Sequence, residues 1–394
     1  MSEWKEYKLG DFIDVKHGFA FKGSFITDES NDKILVTPGN FHIGGGFKKT
    51  KFKYFKSDDF PDEYILNEGD ILVTMTDLSK DSDTLGYSAK IPKPEGVKYL
   101  HNQRVGLVQF KSLYADKDFL YWLMRTRDYQ GFIVASASGT SIMHTAPTRI
   151  KEYTFSLPPL PEQTAIASVL SSLDNKIDLL HRQNATLEKM AETLFRQWFV
   201  EEAKEEWGNM PLSKMADFLN GLACQKFPPK NEIDKLPVLK IKELSSGITE
   251  NSDWASTDIK PEYIVKNGDV IFAWSASLMV KIWDGQDCIL NQHLFKVTSA
   301  DYPKWFYYLW CKHHLAEFIS IAASHATTMG HIKRGDLDEA KVLIPSPEEL
   351  VTMTKQAEPL IDKIIINNVQ INTLTKLRDS LLPKLMSGEV RVKM

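Results

Sequence analysis

Apolar and polar positions along the chain follow the same succession of rhythms twice. Short strand-like runs bounded by Gly, Asp, Asn and Pro come first, among them "DILVTM" (Asp70 to Met75). An aromatic-rich run, Phe119 to Arg127, interrupts them and predicts a helix. Pro158, Pro159 and Pro161 then stop the strand pattern and set the start of another helix. From Ile166 the positions Ile166, Leu170, Leu173, Ile177, Leu180, Asn184, Leu187, Ala191, Leu194 and Trp198 step by four and three, which is a heptad seam. The succession then starts again. "DVIFAW" (Asp269 to Trp274), an aromatic run from Trp305 to His314, prolines Pro345 and Pro347, and a seam through Met353, Ala357, Leu360, Ile364, Asn367, Ile371, Leu374, Arg378, Leu381 and Leu385 follow in order.

Residue matches support a duplication. Trp4, Leu9, Gly18 and Ala20 recur about 200 positions later as Trp207, Leu212, Gly221 and Ala223. "YILNEGDILV" from Tyr64 pairs with "YIVKNGDVIF" from Tyr263, "HNQRVGLV" from His101 with "LNQHLFKV" from Leu290, and "FLYWLM" from Phe119 with "WFYYLW" from Trp305. The separation between partners only shrinks along the chain, as a few loop deletions would make it do. The expected fold is therefore α+β and internally duplicated. Two β-rich domains are separated by a pair of long helices that pack on each other as an antiparallel coiled coil about a pseudo-two-fold axis. Polar seam members, Asn184 in the first helix and Asn367 and Arg378 in the second, cost stability but can fix register. About 33 residues of helix reach about 50 Å, a span that suits two reading heads in major grooves roughly 34 Å apart.

Composition narrows the function. Apolar residues make up 43% and charged residues 25%, the proportions of a globular protein. No apolar run is long enough to span a membrane, and the N-terminus lacks the pattern of a signal peptide, so a cytoplasmic location is expected. Cys224, Cys288 and Cys311 show no metal-ligand spacing and are expected as buried reduced thiols. The net charge of −4 announces no polyanion partner, but phosphate binding needs only a local stripe. "KKTKFKYFK" (Lys48 to Lys56) is such a stripe, and a strand there would put Lys49, Lys51 and Lys53 on one face. The alternative is a solvated edge strand guarded by lysine.

Catalytic constellations are missing. Neither Pro-Pro pair, at Pro158 and Pro228, has the flanks of an amino-methyltransferase motif. There is no phosphate-binding G-x-x-x-x-G-K-[ST], and Gly44 to Gly46 in "HIGGGFKK" reads as a loop or hairpin turn. A Glu-x-Lys triplet such as Glu339 to Lys341 has no aspartate strand before it, and His313 and His314 read as decoration on a helix surface.

"LPPLPEQTAIASVLSSLDNKIDLL" (Leu157 to Leu180), continuing to "LEKMAETLFRQWFV" (Leu187 to Val200), resembles the central conserved region of the specificity subunits of type I restriction-modification systems. "LRDSLLPKLMSGEVRV" (Leu377 to Val392) resembles their distal conserved region, and "SASGTSIMH" (Ser136 to His144) the Gly-Thr stretch before the hinge. The second half departs from the pattern, with "LIPSPEEL" (Leu343 to Leu350) at the hinge and "SHATTMGHI" (Ser324 to Ile332) at the Gly-Thr stretch. The resemblance implies target-recognition domains at 1–157 and 206–345, and conserved helical regions at 158–205 and 346–394. It also implies a DNA-reading subunit without catalysis, cofactor or metal of its own. Each domain would read one half of a split, asymmetric site in double-stranded DNA while the helices fix the unread gap. Two modification subunits binding S-adenosylmethionine would methylate adenine, and restriction subunits using ATP and Mg²⁺ would complete the complex.

Base and phosphate contacts need Arg, Lys, Asn, Gln, Ser or Thr. The candidates in the first half are Lys22, Lys49, Lys51, Thr76, Lys80, Arg104, Thr140, Ser141 and His144. Those in the second are Lys226, Lys240, Lys242, Ser275, Ser277, His293, Thr327, Thr328 and His331. Asn102-Gln103 and Asn291-Gln292, kept in both halves, are expected to hold the shared fold. The competing readings are a coiled-coil scaffold that binds only proteins, a recognition subunit of another multisubunit restriction-modification type, and a single-chain enzyme with a missed methyltransferase site.

Overall fold

The structure is a computed structural model that describes residues 4–77, 82–139, 142–249, 251–324 and 330–393. The chain divides into two compact units, Met1–Asn175 with Lys376–Met394, and Lys176–Thr375. Two long helices, Leu160–Arg196 and Pro347–Met386, begin at the predicted proline hinges. Each unit takes the first turns of one and the last turns of the other.

In the first unit an antiparallel sheet runs in the order Ile13–His17, Val105–Phe110, Ile71–Thr74, Ser88–Lys90. A second sheet runs Ile26–Thr27, Lys53–Phe55, Lys33–Val36, Lys98–His101, Ile65–Leu66, with Lys33–Val36 and Lys98–His101 parallel. The second unit repeats the first sheet as Asp217–Asn220, Leu294–Thr298, Val270–Ala273, Met279–Ile282. It repeats the second with one strand fewer, as Trp254–Ser256, Lys235–Leu239, Cys288–Leu290, Ile264–Val265. The matched runs "DILV" and "DVIF" become equivalent central strands, fully buried on both faces, which is why they read as continuous rather than alternating apolar runs.

Three details differ from the sequence expectation. The aromatic helix of the first half ends at Leu123, and a second helix begins at Arg127. The break follows from Thr126, whose hydroxyl caps the new helix by accepting from the Tyr129 amide at 3.3 Å. Lys312 stands at the matching place in the second half, and helix Lys304–Ser324 runs through unbroken. The lysine stripe is not a continuous strand. Only Lys53–Phe55 is extended, Lys51 sits in the left-handed region at φ 56°, and the three lysines therefore do not share a strand face. Nor is it an edge, because Lys53–Phe55 lies between two other strands. Finally, His314 is buried and not surface decoration, with Nε2 3.0 Å from the Lys341 carbonyl.

Every described seam position is at least half-buried, but against different neighbours. Ile166, Leu170 and Leu385 join the core of the first unit, and Ala191, Met353, Ala357 and Ile364 that of the second. In the second unit Ile177, Leu180 and Ile371, with Leu374, form a small separate cluster between the helices. Beside it Asn184 donates to Asn368 Oδ1 at 2.7 Å and accepts from Asn367 Nδ2 at 2.8 Å. The three cysteines are buried free thiols, and burial pushes Cys288 and Cys311 well up from their ordinary range.

Candidate nucleic-acid interface

Three of the candidate residues in each unit are brought together by the same backbone ladder. In the first unit the Met75 amide donates to the Arg104 carbonyl at 3.0 Å, and the Met75 carbonyl accepts from Thr145 at 3.0 Å. Thr76 and His144 pair across the adjoining short strands, with Thr76 Oγ1 3.2 Å from His144 Nδ1. In the second unit Trp274 donates to the His293 carbonyl at 3.4 Å and accepts from Ile332 at 3.1 Å, while Ser275 and His331 form an antiparallel bridge. Here the hydroxyl has a different partner, for Ser275 Oγ lies 3.2 Å from Nδ1 of His293. Thr76 and Ser275 are buried anchors, whereas Arg104, His144, His293 and His331 are exposed.

The Asn-Gln pairs repeated in both halves build the turn that carries this surface. Asn102 and Asn291 are buried, and their side-chain oxygens accept from the amides of Arg104 at 3.0 Å and His293 at 3.4 Å. Gly18 and Gly221 let the neighbouring strand approach. A Cβ on Gly18 would lie 2.2 Å from the Asn102 carbonyl oxygen, and one on Gly221 2.3 Å from that of Asn291. Repeated glycines at this spacing were the legible trace of that approach.

The remaining candidates are scattered. Lys22 lies 3.9 Å from Asp59, and Lys240 is paired with Asp253. Lys53 and Lys56 of the stripe are held by Asp28 and Glu29 at 2.6 and 2.8 Å. Lys49, Lys51, Lys226, Lys242 and Ser277 are exposed. Lys80, Thr140, Ser141, Thr327 and Thr328 lie outside the described residues. Sequence reasoning missed Trp274. Its ring is 5.9 Å from that of His293 and 6.3 Å from that of His331, and Nε1 donates to Asn220 at 3.3 Å. Its counterpart Met75 is buried, a mismatch visible in the paired runs "DILVTMT" and "DVIFAWS".

Each unit ties its β-rich part to the helices through charged side chains that are at least partly buried. Arg125 donates to the carbonyls of Gly44 and Gly45 at 3.0 and 3.2 Å, stacks 4.3 Å from the Trp122 ring, and pairs with Asp174 at 3.1 Å. The triple glycine is thus a turn whose carbonyls hold a guanidinium and not a phosphate cradle. Arg378 meets the other oxygen of Asp174 at 2.5 Å. Burial works to raise the Asp174 carboxyl, but the two arginines outweigh it and hold it below the ordinary carboxylate range. In the second unit Glu188 accepts from Tyr308 at 2.5 Å and Lys312 at 2.6 Å, which likewise outweigh burial and keep it low.

The first turns of the long helices are clasped alike. Trp4 donates to Glu162 at 3.3 Å, and Arg391 holds the same carboxylate with two nitrogens. Trp207 donates to Glu349 at 2.9 Å, and Lys204 pairs with it at 2.5 Å. Glu349 therefore does in "LIPSPEEL" what Glu162 does in "LPPLPEQ", despite the changed flanks. Among the described residues no group of three or more His, Cys, Asp or Glu could hold a metal ion, and no helix is long and apolar enough to cross a membrane.

Comparison with known proteins agrees with this architecture. Residues 1–189 and 204–376 match the family described as Type I restriction modification DNA specificity domain. The chain is 28% identical to the Type I restriction enzyme MjaIX specificity subunit of Methanocaldococcus jannaschii, over 70% of this chain and 69% of that one. It is 23% identical to the MjaVIII specificity subunit of the same organism, over 99% and 94%. The crystal structure of a type-I restriction-modification system S subunit from M. genitalium shares the fold, with a TM-score of 0.56 at 16% identity over 99% of this chain and 96% of that one. The chain belongs to the type I restriction-modification DNA specificity family and carries its domain twice.

Proposed function

We propose that this chain is the specificity subunit of a type I restriction-modification complex and reads a split, asymmetric site in double-stranded DNA. One observation carries the reading. The two units present the same small surface on the same ladder, but with Thr76, Arg104 and His144 in one and Ser275, His293 and His331 in the other. A duplicated frame with unlike side chains is what two unlike half-sites require. The long helices pass from one unit to the other, and we take them to pair as an antiparallel coiled coil that sets the number of unread base pairs. The central apolar cluster and the Asn184 ladder support that pairing.

In this reading the chain performs no chemistry. Two modification subunits dock on it, bind S-adenosylmethionine and methylate one adenine per strand, while restriction subunits supply ATP- and Mg²⁺-dependent cleavage. The complex acts in the cytoplasm on the cell's own and incoming DNA. A scaffold that binds only proteins would have no use for two differing exposed surfaces on a repeated frame. The deciding experiment is genome-wide mapping of methyladenine in cells with and without this chain, with the modification subunit present in both. The expected result is loss of one split motif. Methylation that is unchanged without the chain defeats the reading, and S-adenosylmethionine binding by the purified chain alone would reveal an enzyme instead.

A further inference from the structure

We infer that Arg104 is a specificity-determining residue that reads a guanine in the half-site of the first unit, and that His293 fills the same office in the second. The inference rests on the DNA-reading function proposed above. Direct readout needs a polar side chain that is exposed, not taken up by an internal carboxylate and carried on backbone that does not yield. Many of the other polar side chains fail one of these conditions. Lys22, Lys53, Lys56 and Lys240 each face a carboxylate. Lys51 lies in a bend outside regular structure, and Thr76 and Ser275 are buried.

Arg104 meets all three. Its guanidinium is exposed, and among the described residues no acceptor takes it up. Its backbone is fixed at both ends: the amide donates to Asn102 Oδ1 at 3.0 Å and the carbonyl accepts from Met75 at 3.0 Å. The next residue closes the turn, Val105 donating to the Asn102 carbonyl at 3.1 Å. The side chain thus starts from a rigid point beside the Thr76–His144 pair. An arginine so placed offers two parallel donors, the pattern that matches O6 and N7 of guanine in the major groove.

The second unit supplies an internal control. Its equivalent turn, held by Asn291, carries His293 in place of Arg104, with Ser275 Oγ 3.2 Å from Nδ1 and Gln292 Nε2 3.4 Å from Nε2 of the exposed ring. Frame residues Gly18/Gly221 and Asn102/Asn291 are kept between the halves, while the residue that the frame displays is changed. A residue needed only to support the shared turn would be expected to be kept with the Gly and Asn residues that build it. Two readers of different tracts need a common support and different tips.

The test uses the complete modification complex, this chain with its modification subunits, on duplexes randomised across both half-sites. Selected sequences are read out for Arg104→Ala, Arg104→Lys and His293→Ala. Among the described residues the Arg104 side chain makes no bond, whereas His293→Ala removes the contacts to Ser275 and Gln292, so thermal unfolding of each variant is measured beside the wild type. For Arg104→Ala, discrimination at one guanine of one tract should fall roughly 5- to 150-fold, with the other tract untouched. Arg104→Lys should keep overall affinity but lose the same discrimination, because a lysine does not reproduce the two-donor fork. His293→Ala should relax only the other tract. Uniform weakening of all sequences with a smaller salt slope, restored by lysine, would make Arg104 a phosphate contact and overturn the inference. So would an unchanged tract. A wild-type complex without any tract preference would bring down the proposed function as well, and so separates the two failures.

Discussion

At the scale of single residues, pairing decides which charges are available to a ligand. Within "KKTKFKYFK" the lysines look interchangeable, yet Lys53 and Lys56 are neutralised by Asp28 and Glu29 while Lys49 and Lys51 are exposed before the strand begins. On the DNA-reading assignment, Lys49→Gln with Lys51→Gln should weaken all duplex sequences alike and lower the salt slope by about 2, measured by titration against salt concentration. Glutamine removes the charge, keeps a polar end and adds no strain at the left-handed Lys51 beyond what lysine already bears. Glu349 makes a different kind of prediction. Lys204, then Ser346 and Trp207, hold its carboxyl down to about 2 from an ordinary 4.5. A carboxylate whose folded value is depressed stabilises the fold fully above its unfolded value, and that contribution is lost as pH falls. Urea unfolding from pH 5 to about pH 2 should therefore show a loss of stability that Glu349→Gln makes shallower. Identical slopes in the two proteins would show that the clasp contributes nothing.

At the scale of elements, much was legible because periodicity and punctuation acted together. The hinges at Pro158 and Pro345, the two helices after them and the equivalent buried strands "DILV" and "DVIF" all form where the patterns place them. What stayed hidden depended on partners far away in sequence. The break capped by Thr126 leaves Arg125 between the two helices, with its side chain on Gly44, Gly45 and Asp174, from 49 to 81 positions distant. No local pattern encodes such contacts, and the triple glycine read only as a turn until its carbonyls were seen to receive a guanidinium. Asp174 joins helix Leu160–Arg196 both to Arg125 and to Arg378. Removing one member of a buried ionic set leaves the others unpaired and costs about 3–5 kcal/mol. Asp174→Ala should accordingly destabilise the first unit by about 3 kcal/mol or somewhat less, since the carboxylate is partly exposed. Thermal unfolding of the variant beside Arg378→Ala, and of the double variant, should give non-additive losses. Additive losses would mean that the two arginines act independently.

At the scale of the whole molecule, the duplication supplies one frame twice, and on the proposed function the helices shared by both units join two readings into one split site. The candidate surface was only partly legible for the same reason. Arg104, His144, His293 and His331 could be named as polar residues near repeated motifs, but nothing in the sequence showed that one ladder gathers them while Lys22 and Lys240 stand apart, paired with carboxylates. The helices offer the sharpest test of the proposed division of labour. Seven residues added to each, between Asn175 and Lys176 and between Thr375 and Lys376, keep the heptad seam in phase and fall at the division between the units. They leave intact Asp174–Arg378 on one side and the Ile177, Leu180, Ile371 cluster on the other. Each insertion lengthens its helix by about 10 Å, the rise of about three base pairs. Methyladenine mapping with the lengthened chain should therefore return the same letters in each tract with a gap enlarged by about three base pairs. Altered letters with an unaltered gap would mean that the helices shape the reading surfaces and do not measure the distance.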